Sequence, residues 1–207
     1  MRNRKFSLNV SAIWILICSF IGIVAFTGCA TYVGTHPRII DVPIQSNIQE
    51  TITVVISQED LEREEAVSFG IVGFLFPVKV KVGEMLKSSA TDCFNRFFNE
   101  VKFGDSISEG ASVALKIEEF YIFGIDAKAH LKLLMTIANK SGEKIIEKSY
   151  VGSGSAHAPM YLNEANQRMQ VSKTTEEAFY MVFNEIVSDL ESIKFSQVEK
   201  KDGGTHD

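Results

Sequence analysis

The sequence predicts an α+β fold: a two-layer sandwich in which an antiparallel sheet of about four strands carries two helices on one face. Three observations predict it. Two stretches, near residues 84–101 and 174–193, place their apolar side chains at helical spacing along a single stripe. Between them, residues 113–117 and 127–137 alternate apolar and polar side chains, and 144–151 is a further β-rich run. Gly124-Ile125-Asp126 and Asn139-Lys140-Ser141-Gly142 separate these runs as hairpin turns. Helices with one apolar face and a sheet with one apolar face bury both most simply by stacking.

A leader precedes the folded part. Arg2, Arg4 and Lys5 open the chain, Val10 to Phe26 is almost wholly apolar, and Thr27 and Gly28 are small. Basic start, apolar run and small residues are the order of a secretion signal, so residues 1–28 are expected to be a signal peptide. The alternative is a single membrane span, since no charged side chain occurs between Lys5 and Arg38. Phe26-Thr27-Gly28-Cys29-Ala30 resembles the lipobox of bacterial lipoproteins, with Phe26 where Leu, Val or Ile is usual. That resemblance implies a diacylglyceryl group on Cys29 and cleavage before it. With Ala30 rather than Asp next, it also implies export to the outer membrane, facing the periplasm. Two or more acyl chains anchor durably, at about 0.8 kcal/mol per buried CH₂. Residues 29–50 contain Gly34, Pro37 and Pro43 without a period and read as a tether.

The domain proper is expected over residues 51–195. Ile52-Thr53-Val54-Val55-Ile56 is the first strand, and the acidic stretch Glu59 to Glu65 a solvated turn or short helix. The apolar segment 69–78 is too short to cross a bilayer. It reads as a buried or edge strand ended by Pro77, the alternative being a loop that docks on lipid or a partner. Leu86, Ala90, Cys93, Phe94, Phe97, Phe98 and Val101 share the stripe of the first helix, with Gly104 as its stop. Thr174 and Glu177 have capping-box spacing, and Phe179, Val182, Phe183, Ile186, Leu190 and Ile193 form the stripe of the second helix. Residues 196–207 are a polar tail.

Charge and cysteine content narrow the function. Three of the 21 basic residues lie in the leader, leaving 18 against 26 acidic ones, a net −8 from Cys29 onward. Such a body lacks the basic field of a nucleic-acid binder. Cys93 is the only body cysteine besides Cys29, so no intramolecular disulfide is expected. Its place on an apolar helix face marks it as a small buried hydrophobe. His36, His130, His157 and His206 stand singly, without metal-ligand spacing. Gly152-Ser153-Gly154-Ser155-Ala156-His157 lacks the order of a nucleophile elbow and reads as a flexible loop. Glu118 and Glu119 adjoin, so they face opposite sides of a strand unless a bulge intervenes. If odd positions of the hairpin face the helices, Lys116, Lys128, His130 and Lys132 share the outer face, with Glu118 the only acid beside them. Lys148 is a further candidate for that face. These residues are the candidate ligand-binding set, for lipid phosphate or another anionic partner.

The element order over about residues 50–193, behind the lipobox, resembles several families of small α/β outer-membrane lipoproteins. They are the YajG-like lipoproteins, the lipopolysaccharide-assembly lipoprotein LptE and the auxiliary lipoproteins of lipid-exporting ABC systems. The resemblance carries one site residue over, Cys29, and no cofactor beyond its covalent lipid. The expected function is non-catalytic: an outer-membrane lipoprotein that binds an envelope protein or an anionic lipid. The alternative is a periplasmic hydrolase built on the Ser153–His157 loop.

Overall fold

Alternation builds the larger sheet. In the computed structural model, which describes residues 31–33, 48–67, 77–104, 111–123, 127–155 and 164–192, the chain runs β1 (Thr31–Val33), β2 (Ile48–Ile56), α1 (Gln58–Leu61), β3 (Glu64–Val67) and β4 (Val78–Lys81). It continues through α2 (Val82–Phe97), β5 (Phe98–Gly104), β6 (Ala111–Phe123), β7 (Lys128–Ala138), β8 (Lys144–Gly154) and α3 (Glu164–Ser192). On β6, Val113, Leu115 and Ile117 are buried, and on β7 so are Ala129, Leu131, Leu133, Met135 and Ile137. These side chains meet the apolar faces of α2 and α3 in one contiguous core, with Phe94, Phe97, Phe179 and Phe183 among the largest fully buried groups.

The expected single antiparallel sheet of about four strands with two helices is overturned. Among the described residues there are two sheets and three helices. The five-stranded sheet has the order β5-β2-β6-β7-β8, and β2 pairs parallel with both β5 and β6, so this sheet is mixed. A three-stranded sheet of order β1-β4-β3 stands beside it. Strand pairing between distant segments depends on tertiary contact, which local alternation cannot report.

Four local expectations change with it. The first helix stops at Phe97 rather than Val101, and Phe98 caps it in extended conformation (φ −112°, ψ 145°). Phe98 and Val101 satisfied the helical stripe, but both also satisfy an edge strand. Val101 pairs with Ile52 and packs on the core as part of β5. Glu64–Val67, which begins in the acidic stretch and runs past its end, is a strand: β3 pairs antiparallel with β4 from Glu64↔Lys81 to Val67↔Val78. α3 begins at Glu164, so Thr174 is no cap; it is fully buried within the helix, its hydroxyl donating to the Val171 carbonyl (3.2 Å). Finally, Thr31–Val33, within the segment read as a tether, is a strand parallel to β4, and Val33 is buried.

A β-bulge sets the outer face of the sheet. Ile117 pairs with Leu133 but Glu119 with Lys132, so β6 carries one extra residue at Glu118. Beyond it the parity of β6 reverses: Phe120 is buried, while Tyr121 and Phe123 are exposed. Arg63, at the entry to β3, donates from Nη1 to the Ile117 carbonyl at that interruption (3.3 Å).

Candidate functional site

The outer face of the β6–β7–β8 meander collects the candidate residues in cross-strand rows. Lys128 lies opposite Phe123, His130 lies between Tyr121 and Ser153, and Lys132 lies between Glu119 and Val151. Lys116, opposite Leu134, completes the set on the same face. Lys116 and Lys128 are exposed, and His130 and Lys132 half-buried. All four therefore share a face, as parity predicted.

The bulge changes what surrounds them. Because Glu118 and Glu119 both oppose Lys132, its ammonium lies 3.3 Å from Glu118 and 4.0 Å from Glu119, and His130 Nε2 lies 3.8 Å from Glu119. Glu118 is therefore not the only acid beside the lysines. Ser149 donates to Glu118 (2.8 Å), and this bond, followed by that from Lys132, holds the Glu118 carboxyl below the usual carboxylate range. The bulge also turns an aromatic pair outward. Tyr121 is 45% and Phe123 53% exposed, with ring centroids 5.6 Å apart, and His130 stacks on Tyr121 at 4.8 Å. Had the odd-inward alternation of Val113, Leu115 and Ile117 continued along β6, those two rings would face the core. The signal that could have corrected it was the adjacent charged pair Glu118-Glu119, which interrupts the alternation.

Lys148 does not join this face. It pairs across from the buried Met135, and its ammonium lies 2.7 Å from Asp189 and 3.0 Å from Glu185 of α3. Tyr150 also donates to Asp189 (2.9 Å). Partial burial works against ionisation of Asp189, but the hydrogen bonds from Lys148 and Tyr150 win, and its carboxyl sits below the ordinary 3.8.

The serine-glycine motif is strand rather than loop as far as Gly154. A Cβ on Gly152 would lie 2.2 Å from the Ala178 carbonyl oxygen, and one on Gly154 would lie 1.9 Å from that of Thr174. Those glycines let the α3 backbone approach β8. Ser153 points to the outer face opposite His130, without a hydrogen bond between them among the described residues. The Ser155 amide donates to Glu177 (3.0 Å), and His157 lies outside the described residues. Cys93 is fully buried in α2, and burial pushes its thiol far above the usual range. Among the described residues no group of His, Cys, Asp and Glu could hold a metal ion. Cys29, the leader, the turn at 124–126, most of the apolar segment 69–78 and the polar tail lie outside the described residues.

No protein-family model matches the chain, and no curated protein matches it. Solved structures do. Protein XCC0632 from Xanthomonas campestris, of family DUF330, superposes with a TM-score of 0.60 at 11% identity, covering 83% of this chain and 100% of that one. The two share a fold. Weaker likenesses join this chain to a candidate lipoprotein from Caulobacter crescentus CB15 (TM-score 0.40, 10% identity, 53% of this chain and 80% of that one). Another is the minor lipoprotein from Acinetobacter baumannii (TM-score 0.32, 16% identity, 69% and 92%).

Proposed function

We propose that this chain is a lipoprotein of the bacterial envelope, anchored to the outer membrane through lipid on Cys29, whose outer sheet face binds a protein partner without catalysis. Residues Phe26 to Cys29 support the anchor through their likeness to a lipobox. The order of elements behind it resembles YajG-like, LptE-like and ABC-auxiliary lipoproteins.

One observation carries the binding surface. The bulge at Glu118 turns Tyr121 and Phe123 outward beside His130, and Val151 on the neighbouring strand is 50% exposed. Exposed aromatic side chains ringed by charges are the composition of a protein-contact patch. Lys132 is matched by Glu118 and Glu119, so the face presents both charges, a pattern that a protein partner of complementary pattern can meet.

The test is a photoreactive residue at position 123 in cells, with one at Ile145, 54% exposed near the start of β8, as the control. A discrete crosslinked protein is expected from position 123 and not from 145. Y121A combined with K128E should weaken its capture roughly tenfold or more without lowering thermal stability, since each is an exposed side chain. Capture that is indifferent to both substitutions removes this surface from the function.

A further inference from the structure

A cleft of about 370 Å³ opens between β1 and the first half of α3. Tyr32 forms one wall, and Arg168, Met169, Lys173 and Glu176 of α3 form the other. Tyr32 and Met169 are each 47% exposed. On the outer face of the small sheet, the ammonium groups of Lys79 and Lys81 lie 5.6 and 5.5 Å from the Tyr32 ring centroid. Carboxylates occupy part of this field: Glu64 pairs with Lys79 (3.3 Å), Glu84 pairs with Lys81 (2.6 Å), and Glu176 accepts from Ser172 (2.7 Å). Cationic and acidic side chains thus alternate around the cleft, and Lys173, exposed on α3, has no carboxylate paired with it among the described residues.

The position of this cleft in the chain gives it meaning. Three peptide links join Cys29 to Tyr32, so their Cα atoms lie no more than about 11 Å apart. β1 is not loose. It pairs with β4 from Thr31↔Val78 to Val33↔Val80, and Val33 is buried. An anchor on Cys29 therefore holds this end of the fold against the bilayer, at high effective concentration of headgroups.

We propose that the β1–α3 face is a second, non-covalent membrane contact. Tyr32 and Met169 enter the headgroup layer, while Lys173 of α3 and Lys79 and Lys81 of the small sheet meet the phosphates of anionic phospholipids, one of which seats in the cleft. Amphipathic side chains flanked by Lys and Arg suit that boundary, and a cleft of this size accommodates a headgroup rather than a whole lipid. The inference rests on the lipid anchor at Cys29.

The experiment uses the mature, acylated protein in vesicles of phosphatidylcholine, with or without phosphatidylglycerol. A nitroxide on M169C reports contact, and one on V151C, on the outer sheet face, serves as reference. The native Cys93 is buried and Cys29 is acylated, so neither takes the label. In vesicles containing phosphatidylglycerol the M169C label should be shielded from a water-soluble relaxation agent, while V151C stays accessible. K173E should lower the ratio of docked to undocked label roughly tenfold or more. The Lys173 side chain is exposed and makes no hydrogen bond or ion pair among the described residues, so that change should leave the melting curve in place. Equal shielding with and without phosphatidylglycerol overturns the assignment to anionic phosphate. A fully accessible M169C label on protein that floats with the vesicles overturns the docking while leaving the anchor standing. Intact mass without acyl groups removes the anchor, and the docking with it.

Discussion

Replacing Gly154 by alanine separates a packing role from a flexible loop. The new Cβ would lie 1.9 Å from the Thr174 carbonyl oxygen, 2.7 Å from its carbon and 3.0 Å from the Ala178 nitrogen. All three are backbone atoms, so no rotamer relieves the contact. Ordinary contact begins at about 3.4 Å, so α3 must retreat from β8 by about 1.5 Å. That shift loosens Ala178, Phe179 and Val182, all buried against the sheet. Overpacking of this kind costs typically 1–3 kcal/mol, and a backbone clash belongs at the upper end, about 2–3 kcal/mol. At roughly 2–4 °C per kcal/mol, the Tm should fall by about 4–12 °C. Gly142 supplies the internal control. It has φ +78° with nothing within 4 Å of a Cβ, so G142A should cost only the strain of a left-handed alanine, about 1 kcal/mol. Urea unfolding followed by far-UV circular dichroism gives both values. A G154A protein as stable as wild type, or less affected than G142A, would falsify the close approach of α3 to β8.

Two further outcomes test the interior. Asp189 has a folded pKa below its ordinary 3.8, so its contribution to stability is present above that value and disappears as pH falls through the folded pKa. The Tm advantage of wild type over D189N should therefore hold steady from neutral pH to about 4 and shrink on further acidification; a gap that is unchanged across that range contradicts the Lys148–Asp189–Tyr150 cluster. Cys93 should resist alkylation by iodoacetamide in the native protein and react only on unfolding, because burial both hides it and suppresses its thiolate. Rapid native alkylation counts against its placement in the core.

Several features were legible residue by residue. The stripe through Leu86, Ala90, Cys93, Phe94 and Phe97 did become a helix face, and odd positions of β7 did turn inward, because 3.6-residue and two-residue periods are properties of the backbone itself. For the same reason parity alone put Lys116, Lys128, His130 and Lys132 on one face. The resemblance at Phe26 to Cys29 is likewise local, since it lies in consecutive residue types.

Tertiary structure decided the rest. Phe98 and Val101 fit a helix or a strand equally well, and only the unpaired edge of β2 selected β5. The strands β1, β3 and β4 are three or four residues long, too short to carry a period, and exist by pairing with one another. One extra residue at Glu118 reversed the sense of everything after it, moving Phe120 inward and Tyr121 and Phe123 outward. Thr174 looked like a helix start until α3 was found to begin ten residues earlier, with Gly154 packed against it. A sequence of types determines periods and local chemistry. Which strand edge is free, where a ladder slips, and which end of the fold lies beside Cys29 depend on contacts between segments far apart in the chain, and those are made only when the chain closes on itself.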